Sequence, residues 1–338
     1  MGNYILDAVT VSCDTWGMKN DNEFPQTLTQ AINYFADASR GLNFVAAVRW
    51  PDGKVVCPCC HKDNVIFMES RKKWNCRECY KQFSVKVSTI FEDSALGFDK
   101  WLPAFWMIVN AKNGISSCEL ARALGVTQKT AWFMLHRIRL AIQNGSMDKL
   151  SGDVEADETY IGGKGRNMHR ERLQNIGTGG LGKEIVMGLL ERKGKVKVKH
   201  VANAKRMTVQ GEIRQHVKKG SNVFTDALRS YNGLNQDYIH EVIDHAKEYV
   251  RGNVHTNGLE NFWSLLKRAI RGTYVSVEPF HLFRYLDEQA FRFNERENTD
   301  SGRFLRGIIG IIGKRLQYTK LIGHNGNPDF TRQAAGTW

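Results

Sequence analysis

Residues 153–164 read DVEADETYIGGK. Polar and apolar side chains alternate through the first five, the period of a strand with one face against a core. Asp153, Glu155 and Asp157 therefore share a face, and Glu158 points to the other. Three carboxylates on one face are hard to bury without a cation. The stretch 222–233, NVFTDALRSYNG, predicts a second strand that ends at Asp226. In NGLENFWSLLKRAI, residues 257–270, Leu259, Phe262, Trp263, Leu266 and Ile270 form an apolar stripe at helical spacing. Glu260, Ser264, Lys267 and Arg271 occupy the other face. Between Asp226 and Glu260 lie 33 residues, and Lys267 follows Glu260 by seven.

Two strand-end aspartates and a helical glutamate can converge on a pair of divalent ions. Mg²⁺, or Mn²⁺ in its place, takes oxygen ligands and keeps open positions for substrate oxygens. Such a pair cuts and rejoins phosphodiester bonds without a covalent protein nucleophile. Asp157, Asp226 and Glu260 are the expected ligands, while Lys267 and Arg271 face phosphate. His255 and Asn257 lie just before Glu260. They can cap the helix or bind phosphate, and Asn257 is a rival third ligand.

The elements around these motifs predict one mixed domain over 152–297. KEIVMGLLER and KVKVKHV form a hairpin, MTVQGEIRQHVKK is helical, YIHEVID is a strand, and two helices fill 257–297. A basic, glycine-rich stretch over 162–183 interrupts the domain and reads as a mobile loop. Upstream, 1–50 is helical in part, with Leu28, Ile32, Phe35 and Ala36 at helical spacing. The tail, 298–338, carries the apolar run RGIIGIIG and suggests no role.

Four of the seven cysteines form Cys57-x2-Cys60 and Cys76-x2-Cys79, with fifteen residues between the pairs. This spacing, within 51–92, predicts a structural Zn²⁺ held by four thiolates. Cys59 is an alternative ligand; Cys13 and Cys118 read as ordinary apolar residues. Lys62, Arg71, Lys72, Lys73, Arg77 and Lys81 surround the pairs, with Trp74 and Phe83 interleaved, a surface that could grip phosphates.

Residues 98–145 predict helices, and ISSCELARALGVTQKTAWFMLHRIR, 115–139, fits a helix-turn-helix. Ser116 or Ser117 and Thr127 are caps, and Gly125 permits the turn. Thr127, Gln128, Lys129, Thr130 and Trp132 are expected near a DNA groove. His136, Arg137 and Arg139 are expected nearer its backbone.

Composition agrees with a polyanionic partner. The net charge is +13 and the isoelectric point about 9.4, so Lys and Arg can displace the counterions of a nucleic acid. No apolar run approaches the roughly 20 residues that span a bilayer. The first residues make a poor signal peptide, so a cytoplasmic location and reduced thiols are expected.

The motifs CPCC…CREC, SSCELARALGVTQKTAWFMLHRIR, DETYIGGK, FTDALRSYNGL and HTNGLENFWSLLKRAIRGTY occur in that order over roughly 25–295. With them the chain resembles bacterial and archaeal insertion-sequence transposases of the DDE class. Within that class it resembles the group with an N-terminal zinc ribbon, a helix-turn-helix and an RNase H-like catalytic domain. The resemblance implies a multidomain α+β protein with an α/β RNase H-like domain. It implies Mg²⁺ on Asp157, Asp226 and Glu260, and Lys267 on transposon-end DNA. Some members of the group carry Asn at the third acidic position, which keeps Asn257 in view. It further implies cleavage at terminal inverted repeats, strand transfer into target duplex DNA, a homo-oligomer when bound to DNA, and a place on the nucleoid. An RNase H-like nuclease without strand transfer, or a transposase-derived zinc-containing regulator, would share parts of the pattern.

Overall fold

The computed structural model describes residues 24–143, 148–162, 183–243 and 255–323. Cys13, nearly all of the basic loop and the end of the tail lie outside them. The chain divides into two compact units. The first takes residues up to Gln143 together with Glu297–Leu321; the second spans Asn144–Arg296 and also takes the residues after Leu321.

In the first unit, helices α1 (Leu28–Phe35) and α2 (Ala38–Arg49) precede a small antiparallel sheet of β1 (Val65–Met68), β2 (Lys73–Cys76) and β3 (Gln82–Phe83). Thr27 caps α1 through a reciprocal capping box with Gln30. The buried residues of α1 are Ala31 and Phe35, whereas Leu28 and Ile32 of the expected stripe are exposed. The reason is distant in sequence: Phe35 and Phe44 pack on Phe304, whose ring is fully buried. Phe304 belongs to α9 (Asp300–Ile308). The run after 301 thus supplies core to this unit, a role its sequence does not announce.

Helices α3 (Phe98–Asn110), α4 (Ser117–Leu124) and α5 (Gln128–Ala141) complete the unit. Ser116 and Thr127 cap α4 and α5 by accepting the amides of Glu119 and Thr130. Gly125 closes α4 at φ +65°, a conformation that favours glycine. The irregular connector from 84 to 97 has its carbonyls satisfied by the half-buried Arg49 and Lys86 and the buried Arg137. Arg49 donates to Val85 and Val87, and Lys86 to Ser94 and Leu96. Arg137 donates to Ile90 and Glu92.

The second unit is built on a five-stranded sheet. Its strands are β4 (Asp153–Ile161), β5 (Glu184–Glu191), β6 (Val196–Val201), β7 (Asn222–Asp226) and β8 (Ile239–Ile243), in the order β6-β5-β4-β7-β8. The first three pair antiparallel, while β7 lies parallel to both β4 and β8. On one face, Val154, Ala156 and Val223 pack with Val209 and Ile213 of α6 (Arg206–His216) and with Tyr231. On the other, Val186 and Leu190 pack with Leu259, Phe262, Trp263 and Leu266 of α7 (Asn257–Arg268), and with Leu282 and Leu286 of α8 (Leu282–Asn294). Burying the apolar stripe of α7 leaves Glu260 and Ser264 exposed. Among the described residues, no helix is long and apolar enough to cross a membrane.

Candidate active site

Parity places the first two acids. Residues 154 and 156 of β4 and 223 of β7 face α6, so Asp157 and Asp226 lie on the α7 face. The parallel register pairs Glu155 with Phe224. The ladder ends at that pair, and Asp157 and Asp226 lie two residues beyond it on their strands, close enough for Asp226 to act on the Asp157 carboxyl. Helix α7 crosses this face, and its Trp263 indole donates to Asp157 Oδ2 at 2.9 Å. Gly188, the cross-strand partner of Asp157, makes the approach possible. A Cβ there would meet the Trp263 ring at 2.6 Å.

The electrostatics tie the remaining groups to the centre. The Asp157 carboxyl is pushed up to about 6, first by burial and then by Asp226 and Glu260, against the pull of the Trp263 hydrogen bond. Lys267 is lowered by burial and by Arg271, while Asp157 opposes the shift. Asp157, Asp226, Glu260 and Lys267 thus form one neighbourhood, with Arg271 next to Lys267. Asn257 stands exposed at the first position of α7. Lys267, Arg268 and Arg271 line a shallow cationic groove with Ser264 and Gly272. Arg271 falls within a π-helical turn, Ala269–Tyr274, that continues α7.

Two other acids of the first motif have different partners from those expected. Asp153 Oδ1 accepts the Asn222 side chain at 2.7 Å. Glu155 is buried and pairs with Arg192 at 3.1 Å. The shared cation expected for Asp153, Glu155 and Asp157 is therefore not needed for burial of the first two. Sequence reasoning also passes over Glu158. It lies on the opposite face, beside the buried Tyr231 hydroxyl. Burial first, with Asp226 and Asp157 nearby, pushes it up to about 7, and the neighbouring Tyr231 hydroxyl opposes the shift. Its position next to Asp157 is the one signal in sequence that points to it.

The cysteines meet as their spacing predicts. Sγ of Cys57 lies 3.6 Å from that of Cys79, and Sγ of Cys60 lies 3.5 Å from that of Cys76. A tetrahedral ion with Zn–S bonds of about 2.3 Å separates its sulfurs by about 3.8 Å, so the four thiolates fit zinc. Among the described residues, this is the one set of three or more potential ligands whose atoms all lie within 4.8 Å. Among the described residues, Asp157, Asp226 and Glu260 do not form such a set. Cys59 is exposed and accepts Lys81 Nζ at 3.1 Å, outside the cluster. Trp74 and Phe83, expected among the surface cations, are buried and stacked at 6.1 Å as the core of this sheet. The cations named with them are exposed.

On α5, Thr127, Gln128 and Lys129 are exposed and Thr130 is half-buried. The Lys129 ammonium lies over the Tyr318 ring, 4.8 Å from its centroid. Arg137 is not at the surface where a DNA backbone could reach it. It is 4% exposed, and its guanidinium is spent on the carbonyls of Ile90, Glu92 and Leu316. His136 and Arg139 are buried as well.

Comparison with known proteins adds to this geometry. Residues 149–294 match the family model described as an ISXO2-like transposase domain. Residues 40–82 match a transposase zinc-ribbon domain. A protein of Halobacterium salinarum, described as an uncharacterized protein in transposable element ISH50, is 30% identical over 254 residues, 70% of this chain and 84% of the relative. An uncharacterized transposase-like protein of Haemophilus influenzae is 34% identical over 118 residues, 35% of this chain and 95% of the relative.

Proposed function

As the chain belongs to the ISXO2-like transposase family, we propose that it cleaves transposon ends at terminal inverted repeats and joins the 3′-hydroxyl to target DNA. The observation that carries this reading is the placement of Asp157 and Asp226 on one face of adjacent parallel strands, with Glu260 and Lys267 of α7 within electrostatic reach of Asp157. The strand order, three antiparallel strands and two parallel ones with the first acid on the central strand, fits an RNase H-like domain.

Asp157, Asp226 and Glu260 hold Mg²⁺ or Mn²⁺. A raised Asp157 beside two further acids is the excess negative charge that a divalent cation relieves. When bound, the metals supply activation of water or a 3′-hydroxyl and stabilisation of the leaving oxygen. Glu260 is taken as the third ligand because it offers a charged oxygen donor within electrostatic reach of Asp157, with Asn257 as the alternative. Lys267 meets the phosphate at the reacting end, and Arg268 and Arg271 continue that contact along the backbone. Thr127, Gln128, Lys129 and Thr130 read the repeat from α5 in a helix-turn-helix. The exposed cations of the zinc ribbon add phosphate contacts. Two ends held together require a homo-oligomer on DNA.

The test is a labelled duplex carrying the element's terminal repeat, incubated with Mg²⁺ or EDTA. Wild type should nick the end only with metal and join it to a plasmid. Asp226→Ala should bind the end and do neither. Asn257→Ala should retain more activity than Glu260→Ala. Specific binding with no cutting in Mg²⁺ or Mn²⁺ would leave a DNA-binding regulator, and nicking without joined product a nuclease.

A further inference from the structure

An ion pair between Glu155 of β4 and Arg192, the residue after β5, lies beside the start of α7 and has no part in the chemistry above. Glu155 stands two residues before Asp157 on the same face and is 1% exposed. Its Oε1 accepts Arg192 Nε at 3.1 Å and lies 3.4 Å from His255 Nδ1. Its Oε2 accepts the backbone N–H of Leu259 at 3.0 Å. Both oxygens thus have partners within the chain.

Arg192 closes the arrangement. Its backbone N–H donates to Asp153 O at 2.9 Å, and its Nη2 donates to His255 O at 2.7 Å. Its guanidinium lies 4.0 Å from the centroid of the Phe224 ring, two residues before Asp226. Gly258 lets the helix come this close. A Cβ there would meet Leu190 Cδ2 at 2.5 Å and Glu155 Oε2 at 2.8 Å. The start of α7 is thus held at His255, Gly258 and Leu259, and the next residue is Glu260.

Stability alone is a weak reason for such a pair. Desolvating two charges costs about as much as their attraction returns, and apolar residues of the same volume often serve as well. What the pair supplies that apolar residues do not is direction. It fixes the height and rotation of α7 by hydrogen bonds to named backbone atoms. A carboxylate at a helix N-terminus also opposes the positive end of the helix dipole.

We propose that Glu155 and Arg192 are positioning residues, which set the helix carrying Glu260 against the strands carrying Asp157 and Asp226 and thereby determine the divalent-metal affinity of the acidic centre. The inference rests on the metal-dependent function proposed above.

The experiment uses the full-length, zinc-loaded chain and measures Mn²⁺ affinity from the EPR signal of free Mn²⁺. The Mg²⁺ dependence of end cleavage is read alongside. Glu155→Gln combined with Arg192→Gln removes both charges and leaves neither uncompensated. Loss of groups that orient metal ligands weakens binding by about 10- to 100-fold. The double variant should weaken Mn²⁺ binding by that factor and raise the half-maximal Mg²⁺ concentration in parallel. Saturating Mn²⁺ should restore most of the cleavage. Glu155→Gln alone can still accept from Leu259 N–H and guards against a double variant that does not fold; it should show the same effect to a smaller degree. A lowered melting temperature with unchanged Mn²⁺ affinity and Mg²⁺ requirement would overturn the proposal and leave a structural pair. Wild-type protein that binds no Mn²⁺ would overturn the proposed function itself.

Discussion

Asp157→Asn should stabilise the metal-free protein while abolishing its activity. The substitution keeps the shape of the side chain, and the amide oxygen can still accept the Trp263 indole N–H. What it removes is a charge held in a poorly solvated place. Burial first, then Asp226 and Glu260, raise the carboxyl from 3.8 to about 6. At about 1.4 kcal/mol per unit, a shift of about two units makes the ionised form cost about 3 kcal/mol. The sign follows from linkage. For a carboxyl raised on folding, the favourable contribution is complete below the unfolded value and lost as pH rises through the folded one. The advantage of Asn should therefore be small near pH 4, grow to pH 6, and stay level at pH 7. For a unit of this size, about 3 kcal/mol corresponds to a melting shift of roughly 6–12 °C. Melting curves in EDTA at pH 7 and pH 5, on wild type and variant, measure it. Excess Mg²⁺ should then raise the wild type, by about 2.7 kcal/mol at a hundredfold over Kd, and leave the variant unmoved. A variant that melts below wild type in EDTA at pH 7, or gains equally from Mg²⁺, would refute the reasoning.

Arg137→Met should cost about 3 kcal/mol or more, because buried carbonyls of Ile90, Glu92 and Leu316 lose their donor; a loss under about 1 kcal/mol in urea unfolding would mean other donors replace it. Cys76→Ser should lower the zinc content and destabilise the first unit, whereas Cys59→Ser should do neither, since Cys59 bonds Lys81 rather than joining the cluster; metal analysis of the two proteins decides. Val275→Gly should raise stability by about 1 kcal/mol, because this exposed β-branched residue is held at φ +61° with nothing buried in return. A lower melting temperature for Val275→Gly would show that the side chain earns its place through a contact.

What the sequence makes legible is whatever depends on neighbours in the chain. Alternation in 153–157 gives the strand, caps and a glycine give α4 and α5, and paired cysteines give the thiolate cluster. Long-range packing decides the rest. Phe304 chooses which face of α1 is buried. The carbonyls of the connector 84–97 draw Arg137 inward, and periodicity within α5 carries no trace of them. The partners of Glu155 come from 37 and 104 residues away. The acidic strand joins the two cases. By pattern, Asp153, Glu155 and Asp157 are equivalent. The fold separates them by what each one meets. Asp153 receives a neutral amide and Glu155 a guanidinium. Asp157 receives the indole N–H of Trp263 and, with Lys267 in electrostatic reach, has Asp226 and Glu260 for company. It is the acid of the three whose charge the protein leaves least compensated, and that, rather than the count of acids on the strand, is the physical reason to place a cation there.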